Sequence, residues 1–192
     1  MQAQIQHILQ ASINTKQAIL EDEALLETIL RATETVLDAF RGGHHVFFCG
    51  NGGSAADAQH LAAEFSGRFY KDRTPLPSEA LHCNTSYLTA VANDYSYDMI
   101  YARLIKGIGH PGDVLIGLST SGNSVNIVKA FEQARFNQMI TIGFTGATGG
   151  SMKSLSDLLI NIPETDTPRI QEAHITVGHI ICQLVEEKLF SE

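Results

Sequence analysis

The stretch Asp113-Val-Leu-Ile-Gly-Leu-Ser-Thr-Ser-Gly-Asn-Ser124 decides the fold. An apolar run of strand length, Asp113–Leu118, passes directly into a loop of hydroxyl residues and one glycine. A helical stretch then runs to about Phe136. A short apolar strand that enters a helix through a polar loop is half of a strand–helix–strand unit. The same order recurs on both sides. Upstream, His45–Cys49 precedes the glycine-rich Gly50-Asn-Gly-Gly-Ser54 and a helix through about Gly67. Downstream, Met139–Phe144 precedes Thr145-Gly-Ala-Thr-Gly-Gly150 and a short helix. Leu158–Ile162 precedes a long last helix from about Pro168 to Leu189, with Pro168 suited to a first turn. Glu79–Cys83 is a weaker fifth strand, and Glu79 stands where an apolar residue is expected.

Repetition of this unit predicts an α/β fold: a doubly wound, Rossmann-like parallel sheet flanked by helices. Ahead of it, residues from about Gln4 to Phe40 read as two helices. Ile5, Ile8, Leu9 and Ile13, and later Leu25, Ile29, Leu30, Val36, Leu37 and Phe40, recur at helical spacing. Gly42 and Gly43 stop the second helix. The acidic run Glu21-Asp22-Glu23 suits the boundary between the two. This N-terminal extension, about residues 1–41, carries an apolar stripe that must be covered, on the domain or on another subunit. No linker, low-complexity segment or internal repeat divides the chain, so one domain over residues 1–192 is expected.

Composition narrows the function. The chain has 192 residues, 44% hydrophobic and 18% charged, enough for a sizeable core. Its net charge is −8 with no cluster of Lys and Arg, which argues against nucleic acid as a partner. An anionic ligand therefore has to be held by local geometry. Cys49, Cys83 and Cys182 lie far apart and form no metal or disulfide spacing, which suits a reducing, cytoplasmic setting. The N-terminus is amphipathic rather than a signal peptide, and no apolar run is long enough to span a membrane.

In an open parallel sheet, ligands bind beyond the carboxyl ends of the strands. Two loops fall there. Cys49-Gly-Asn-Gly-Gly-Ser54 has glycines that let backbone approach a ligand, and it fits neither the P-loop nor the dinucleotide-binding pattern. Ser119-Thr-Ser-Gly-Asn-Ser124 places four hydroxyls at a helix N-terminus, where free N–H groups and the helix dipole favour a phosphate. A lone serine there would be an ordinary cap; this density of hydroxyls after an apolar strand points to phosphate.

The loop CGNGGS, the helix DAQHLAAEF, the loop STSGNS and the segment RIQEAHITVGH occur in the order found in the phosphoheptose isomerases of the sugar isomerase (SIS) family. The chain resembles that family from about the first helix to the end. The resemblance implies conversion of sedoheptulose 7-phosphate to glycero-manno-heptose 7-phosphate on the way to lipopolysaccharide heptose, a cytoplasmic homotetramer, and zinc at the active site, one per subunit. By motif, Ser54, Ser119, Thr120, Ser121 and Ser124 would hold the phosphate. Asn51, Arg68 and Asp94 would line the sugar site, with Gly52, Gly53, Asn93 and Gln171 also at the substrate. Glu64 would be the base and His179 its acid/base partner, and His60, Glu64, Gln171 and His179 would be the metal ligands. Pro168 departs from the pattern, since a relative carries Asp just before its Arg-Ile-Gln.

Enediol chemistry explains why such residues serve. A base moves a proton between two adjacent carbons while a second group shuttles the oxygen proton, roles that a carboxylate and a histidine fill near neutral pH. A divalent cation could stabilise the enediolate. His60 and Glu64, four apart, share a helix face, which suits two metal ligands or a plain hydrogen bond equally. Gln171 and His179 are eight apart, about 12 Å of helix rise. If both bind one ion, a neighbouring subunit supplies one of them, and active sites then lie at subunit interfaces. Taken alone, His179 reads as a core or interface histidine, Arg68 as a surface cation, Asp94 as a helix cap and Cys49 as a small buried apolar residue. His44, His45, His82, His110 and His174 form no constellation visible in the sequence.

Two other readings fit the same layout. One is a non-catalytic SIS protein, such as the relative that binds the bacterial replication initiator; it lacks counterparts of Glu64 and His179, and this chain has both. The other is a domain that senses a sugar phosphate, or an isomerase acting on a different one.

Overall fold

Strand β1 (Val46–Gly50) lies inside a fully parallel sheet with β2 (Ser78–Ala80), β3 (Val114–Leu118), β4 (Ile140–Thr145) and β5 (Leu158–Asn161). The computed structural model describes residues 1–191, and over these the strand order is β2-β1-β3-β4-β5. All residues of β1 and β3 are buried, because helices cover both faces of the sheet, and such strands read as continuous apolar runs. Side chains alternate between the two layers. Val46, Phe48, Ile116, Leu118, Ile142 and Phe144 join one core, while Phe47, Cys49 and Leu115 join the other.

The helices are α1 (Gln2–Glu21), α2 (Glu23–Arg41), α3 (Gly53–Ser66), α4 (Thr85–Asp94), α5 (Ile100–Ile108), α6 (Val125–Phe136) and α7 (Thr167–Leu189). Helices α2, α3 and α7 fill the first core through Leu25, Ile29, Val36, Leu61, Phe65, Val177 and Ile181. Helices α5 and α6 fill the second through Tyr101, Ile105, Ile127 and Phe131. The Asp22 carboxylate accepts a hydrogen bond from the Leu25 N–H at 3.0 Å and starts α2. Gly42 ends α2, and Pro168 stands in the first turn of α7.

The doubly wound sheet, the N-terminal helical pair and the four stronger strands agree with the sequence to within a residue or so. Three details differ. Glu79 is exposed because β2 is an edge strand, paired only to β1, where a charge does no harm. The turn after β4 is a short 3-10 helix at Gly150–Ser154. Helices α4 and α5 lie in a stretch where the sequence showed no strand–helix alternation. On α1, Ile5, Ile8, Leu9 and Ile13 are each more than half exposed, and the buried residues of that helix are only Thr15 and Ile19.

Candidate active site

The chain runs from β1 to β2 in one direction and from β3 through β4 to β5 in the other, so the order reverses between β1 and β3. A crevice for a ligand opens at such a reversal. Gly50 pairs in register with Leu118, which sets the loops following β1 and β3 side by side. Helices α3 and α6 start from these loops, so two helix N-termini face the same gap. Ser54 and Ser119 are buried there, and the Oγ atoms of Ser119 and Ser124 are 3.0 Å apart. Thr120 is half-buried and Ser121 exposed. Gly122 has φ of +67°, and a Cβ on it would fall on the Gly149 carbonyl, so the turn requires glycine. Asn123 fixes the loop from outside by accepting hydrogen bonds from the Ser151 N–H and hydroxyl, each 2.9 Å. Gly52, with φ of +56°, and Gly53 lead into α3. These contacts involve no charged side chain, so an anion here meets N–H dipoles and hydroxyls.

The two loops are tied together by Asn51, a residue expected at the sugar site, and by Asn126, Tyr97 and Tyr101, which the sequence did not single out. Asn51 and Asn126 exchange amide hydrogen bonds of 2.8 Å in both directions, and Tyr97 donates its hydroxyl to Asn51 Oδ1 at 3.0 Å. Tyr101 donates to the Gly50 carbonyl. Asn126 is buried. Asn93 and Asp94, at the end of α4, are exposed and bonded to each other at 2.9 Å. Arg68 is exposed, with one long contact of 3.5 Å to the Phe69 carbonyl.

A second group of residues lies along α3 and α7. His60 Nε2 is 3.0 Å from Glu64 Oε1 and 3.1 Å from His179 Nε2. One ligand atom from each of the three lies within 4.8 Å of the others. Gly178 makes this approach possible, since a Cβ there would stand 2.5 Å from Cδ1 of the buried Leu61. Leu61 and Gly178 are the chain neighbours of His60 and His179. Burial lowers the His179 pKa and the nearby His60 lowers it further, against an opposing pull from Glu64. The His179 imidazole is therefore biased toward its neutral form, in which a nitrogen lone pair is available. Two imidazoles and a carboxylate form a donor set typical of catalytic zinc, and two of the three donor spacings, 3.0 and 3.1 Å, are close to the ~3.4 Å that ligands about 2.1 Å from a tetrahedral ion would show, with the third within 4.8 Å. These residues fit such an ion. Gln171 stands apart from them, its amide against Gly53, where a Cβ would lie 2.7 Å from Nε2. His60, Glu64 and His179 thus converge within one chain, while Gln171 sits at the first phosphate loop.

Other histidines are placed elsewhere. His174 is fully buried; its Nε2 donates to the Thr145 carbonyl at 3.2 Å and its Nδ1 has no partner. Burial pushes its pKa down to about 4, only partly opposed by that hydrogen bond. His44, His45 and His110 surround the buried Asp113 carboxylate at 3.8–3.9 Å, at the end of the sheet opposite the loops. Cys49 is buried, which drives its thiol pKa far up and removes it as a nucleophile.

Among known proteins, the SIS domain family model matches residues 9–146. The phosphoheptose isomerase of Aneurinibacillus thermoaerophilus is 52% identical over 182 residues, 95% of this chain and 92% of that protein. Phosphoheptose isomerase 2 of Campylobacter jejuni is 52% identical over 181 residues, 94% of this chain and 90% of that protein. The solved structure of phosphoheptose isomerase GmhA from Neisseria gonorrhoeae superimposes with a TM-score of 0.91 at 38% identity, covering 97% of this chain and 98% of that one. The phosphoheptose isomerase from Francisella tularensis gives 0.92 at 31% identity, covering 96% and 97%.

Proposed function

The chain belongs to the phosphoheptose isomerase family of SIS-domain proteins, and we propose that it performs that reaction with Glu64 and His179 as its proton-transfer pair. It is an aldose–ketose isomerase, converting sedoheptulose 7-phosphate to D-glycero-D-manno-heptose 7-phosphate in heptose biosynthesis. The observation that carries the proposed roles is the convergence of His60 and Glu64 on α3, which starts from the first phosphate loop, with His179 on α7.

The substrate phosphate is bound by the hydroxyls of Ser54, Ser119, Thr120, Ser121 and Ser124 and by the N–H groups that open α3 and α6. About 9 Å of helix separates Ser54 from His60, a span that a seven-carbon chain can bridge. Asn51, held by Asn126 and Tyr97, offers its amide to a sugar hydroxyl, with Gly52, Gly53, Arg68, Asn93, Asp94 and Gln171 completing the sugar site. Glu64 takes a proton from C1 of the ketose and returns it to C2, while His179 moves the hydroxyl proton between O2 and O1. The enediolate between these steps carries negative charge on its oxygens. His60, Glu64 and His179, with Gln171 as fourth ligand, would hold a zinc ion, which when bound would supply a Lewis acid for that charge.

We also infer a single SIS domain over residues 1–192, assembled as a homotetramer in the cytoplasm and serving lipopolysaccharide synthesis. The exposed apolar face of α1 supports an assembly. The separation of Gln171 from the other three ligands supports active sites at subunit interfaces, with one ligand supplied from a neighbour. No helix among the described residues is long and apolar enough to cross a membrane. Conversion in heavy water tests the enediol: deuterium enters the product at C2 when Glu64 exchanges its proton with solvent, and a direct hydride shift would leave the product unlabelled.

A further inference from the structure

Arg73 and Glu186 form an ion pair with both side chains only 3% exposed, Nε to Oε1 at 3.1 Å. Neither belongs to the motifs that carry the chemistry, and a buried ion pair is weak evidence for stability by itself. Most of its contacts are directed at the backbone of the C-terminal end of α3 and of the turn that follows it. The Arg73 guanidinium donates to the carbonyl of Glu64 at 2.8 Å and of Phe65 at 2.6 Å, and also to those of Gly67 and Thr74. It thereby satisfies the open carbonyls at the C-terminal end of α3 and places a cation where the helix dipole favours one. The Glu186 carboxylate accepts the N–H groups of Phe69, Tyr70 and Lys71 at 2.7–3.1 Å. The ring of Phe69, held by that grip, lies 5.7 Å from the ring of His179. Glu186 itself stands two turns after His179 on α7.

One ion pair thus holds the backbone of Glu64 on one helix and the ring packed against His179 on the other. We propose that Arg73 and Glu186 are positioning residues for the reaction, fixing the distance between Glu64 and His179 without touching substrate. This rests on the roles given above to Glu64, His60 and His179. It also explains why two charged groups are kept buried where an apolar pair of similar volume would cost less to desolvate.

The test compares wild type with Arg73→Lys, Glu186→Gln and the apolar double variant Arg73→Met/Glu186→Leu. Steady-state kinetics is run well below each melting temperature, beside cobalt titration followed in the visible spectrum. The expected result is a fall in kcat of tenfold or more with KM for sedoheptulose 7-phosphate within twofold, since an ångström of misplacement can cost about a hundredfold. Arg73→Lys keeps the charge but loses the fork, and recovers part of the loss seen in the double variant. Cobalt binding weakens in parallel. Folded variants with wild-type kcat and wild-type cobalt affinity, differing only in melting temperature, would overturn the proposal. If wild type binds cobalt but does not turn over, the isomerase reading fails alone, and the cobalt affinities of the variants decide this one. If wild type does neither, both fall.

Discussion

His60 and His179, 119 residues apart in sequence, bring their Nε2 atoms to 3.1 Å of each other. Two neutral imidazoles at that distance need one donor and one acceptor, whereas around a cation both present lone pairs. With Glu64 Oε1 3.0 Å from His60, the arrangement suits a cation better than an isolated pair. His60→Ala or His179→Asn is therefore expected to lower zinc or cobalt affinity by a hundredfold or more, leaving the melting temperature without metal little changed. Isothermal titration measures this, and unchanged affinity would remove the metal reading.

The helix approach behind that contact has its own test. Gly178→Ala places a methyl group against the buried Leu61, and overpacking of this kind costs about 1–3 kcal/mol. Metal affinity should fall together with stability, because the strain acts between His60 and His179. An alanine in the same helix at an exposed site, Ile180→Ala, serves as the control.

The phosphate loops predict a different kinetic signature. Ser124→Ala removes one hydroxyl from the Ser119–Ser124 pair, and hydrogen bonds to charged groups are worth about 1.5–3 kcal/mol. KM should rise roughly tenfold or more with a smaller change in kcat, and the protection that inorganic phosphate gives against heat should weaken. A fall in kcat alone would place Ser124 outside the phosphate site.

His174 gives the pH dependence a sign. Its pKa is about 4 in the fold and near 6.5 when unfolded. Between those values the unfolded chain binds the proton and the folded chain does not, so stability is full above 6.5 and is lost as pH falls toward 4. The loss from this residue is roughly 3 kcal/mol. Urea unfolding across pH 7 to 4 should show it, and His174→Gln should flatten that part of the curve.

The exposed stripe of α1 tests the assembly. Leu9→Asp with Ile13→Asp puts charge on a face that is more than half exposed in the isolated chain. The chain should stay folded but sediment as a smaller species. An unchanged sedimentation coefficient would show that this face is not an interface.

Much of this was legible in the sequence, because it depends on local pattern. Strand β3, buried on both sides, reads as an unbroken apolar run, and the hydroxyl loop after it announces a helix start whatever the rest of the chain does. Contacts made across the sheet were not legible. Asn126, Tyr97, Arg73 and Glu186 look like ordinary polar surface residues until β1, β3 and α7 are packed together. His44 and His45 join His110 on Asp113 only because β1 and β3 begin side by side. Glu79 looked misplaced because an edge strand and a central one differ in their neighbours rather than in their own residues.

The most direct test of the central claim is turnover of sedoheptulose 7-phosphate by the purified protein, with and without added zinc, beside Glu64→Gln. The account predicts isomerisation by wild type, loss of at least a thousandfold in kcat for Glu64→Gln, and retained binding of the sugar phosphate by that variant. Wild-type rates in Glu64→Gln would contradict the assignment of the base. No turnover by intact wild-type protein under any metal condition would contradict the isomerase itself.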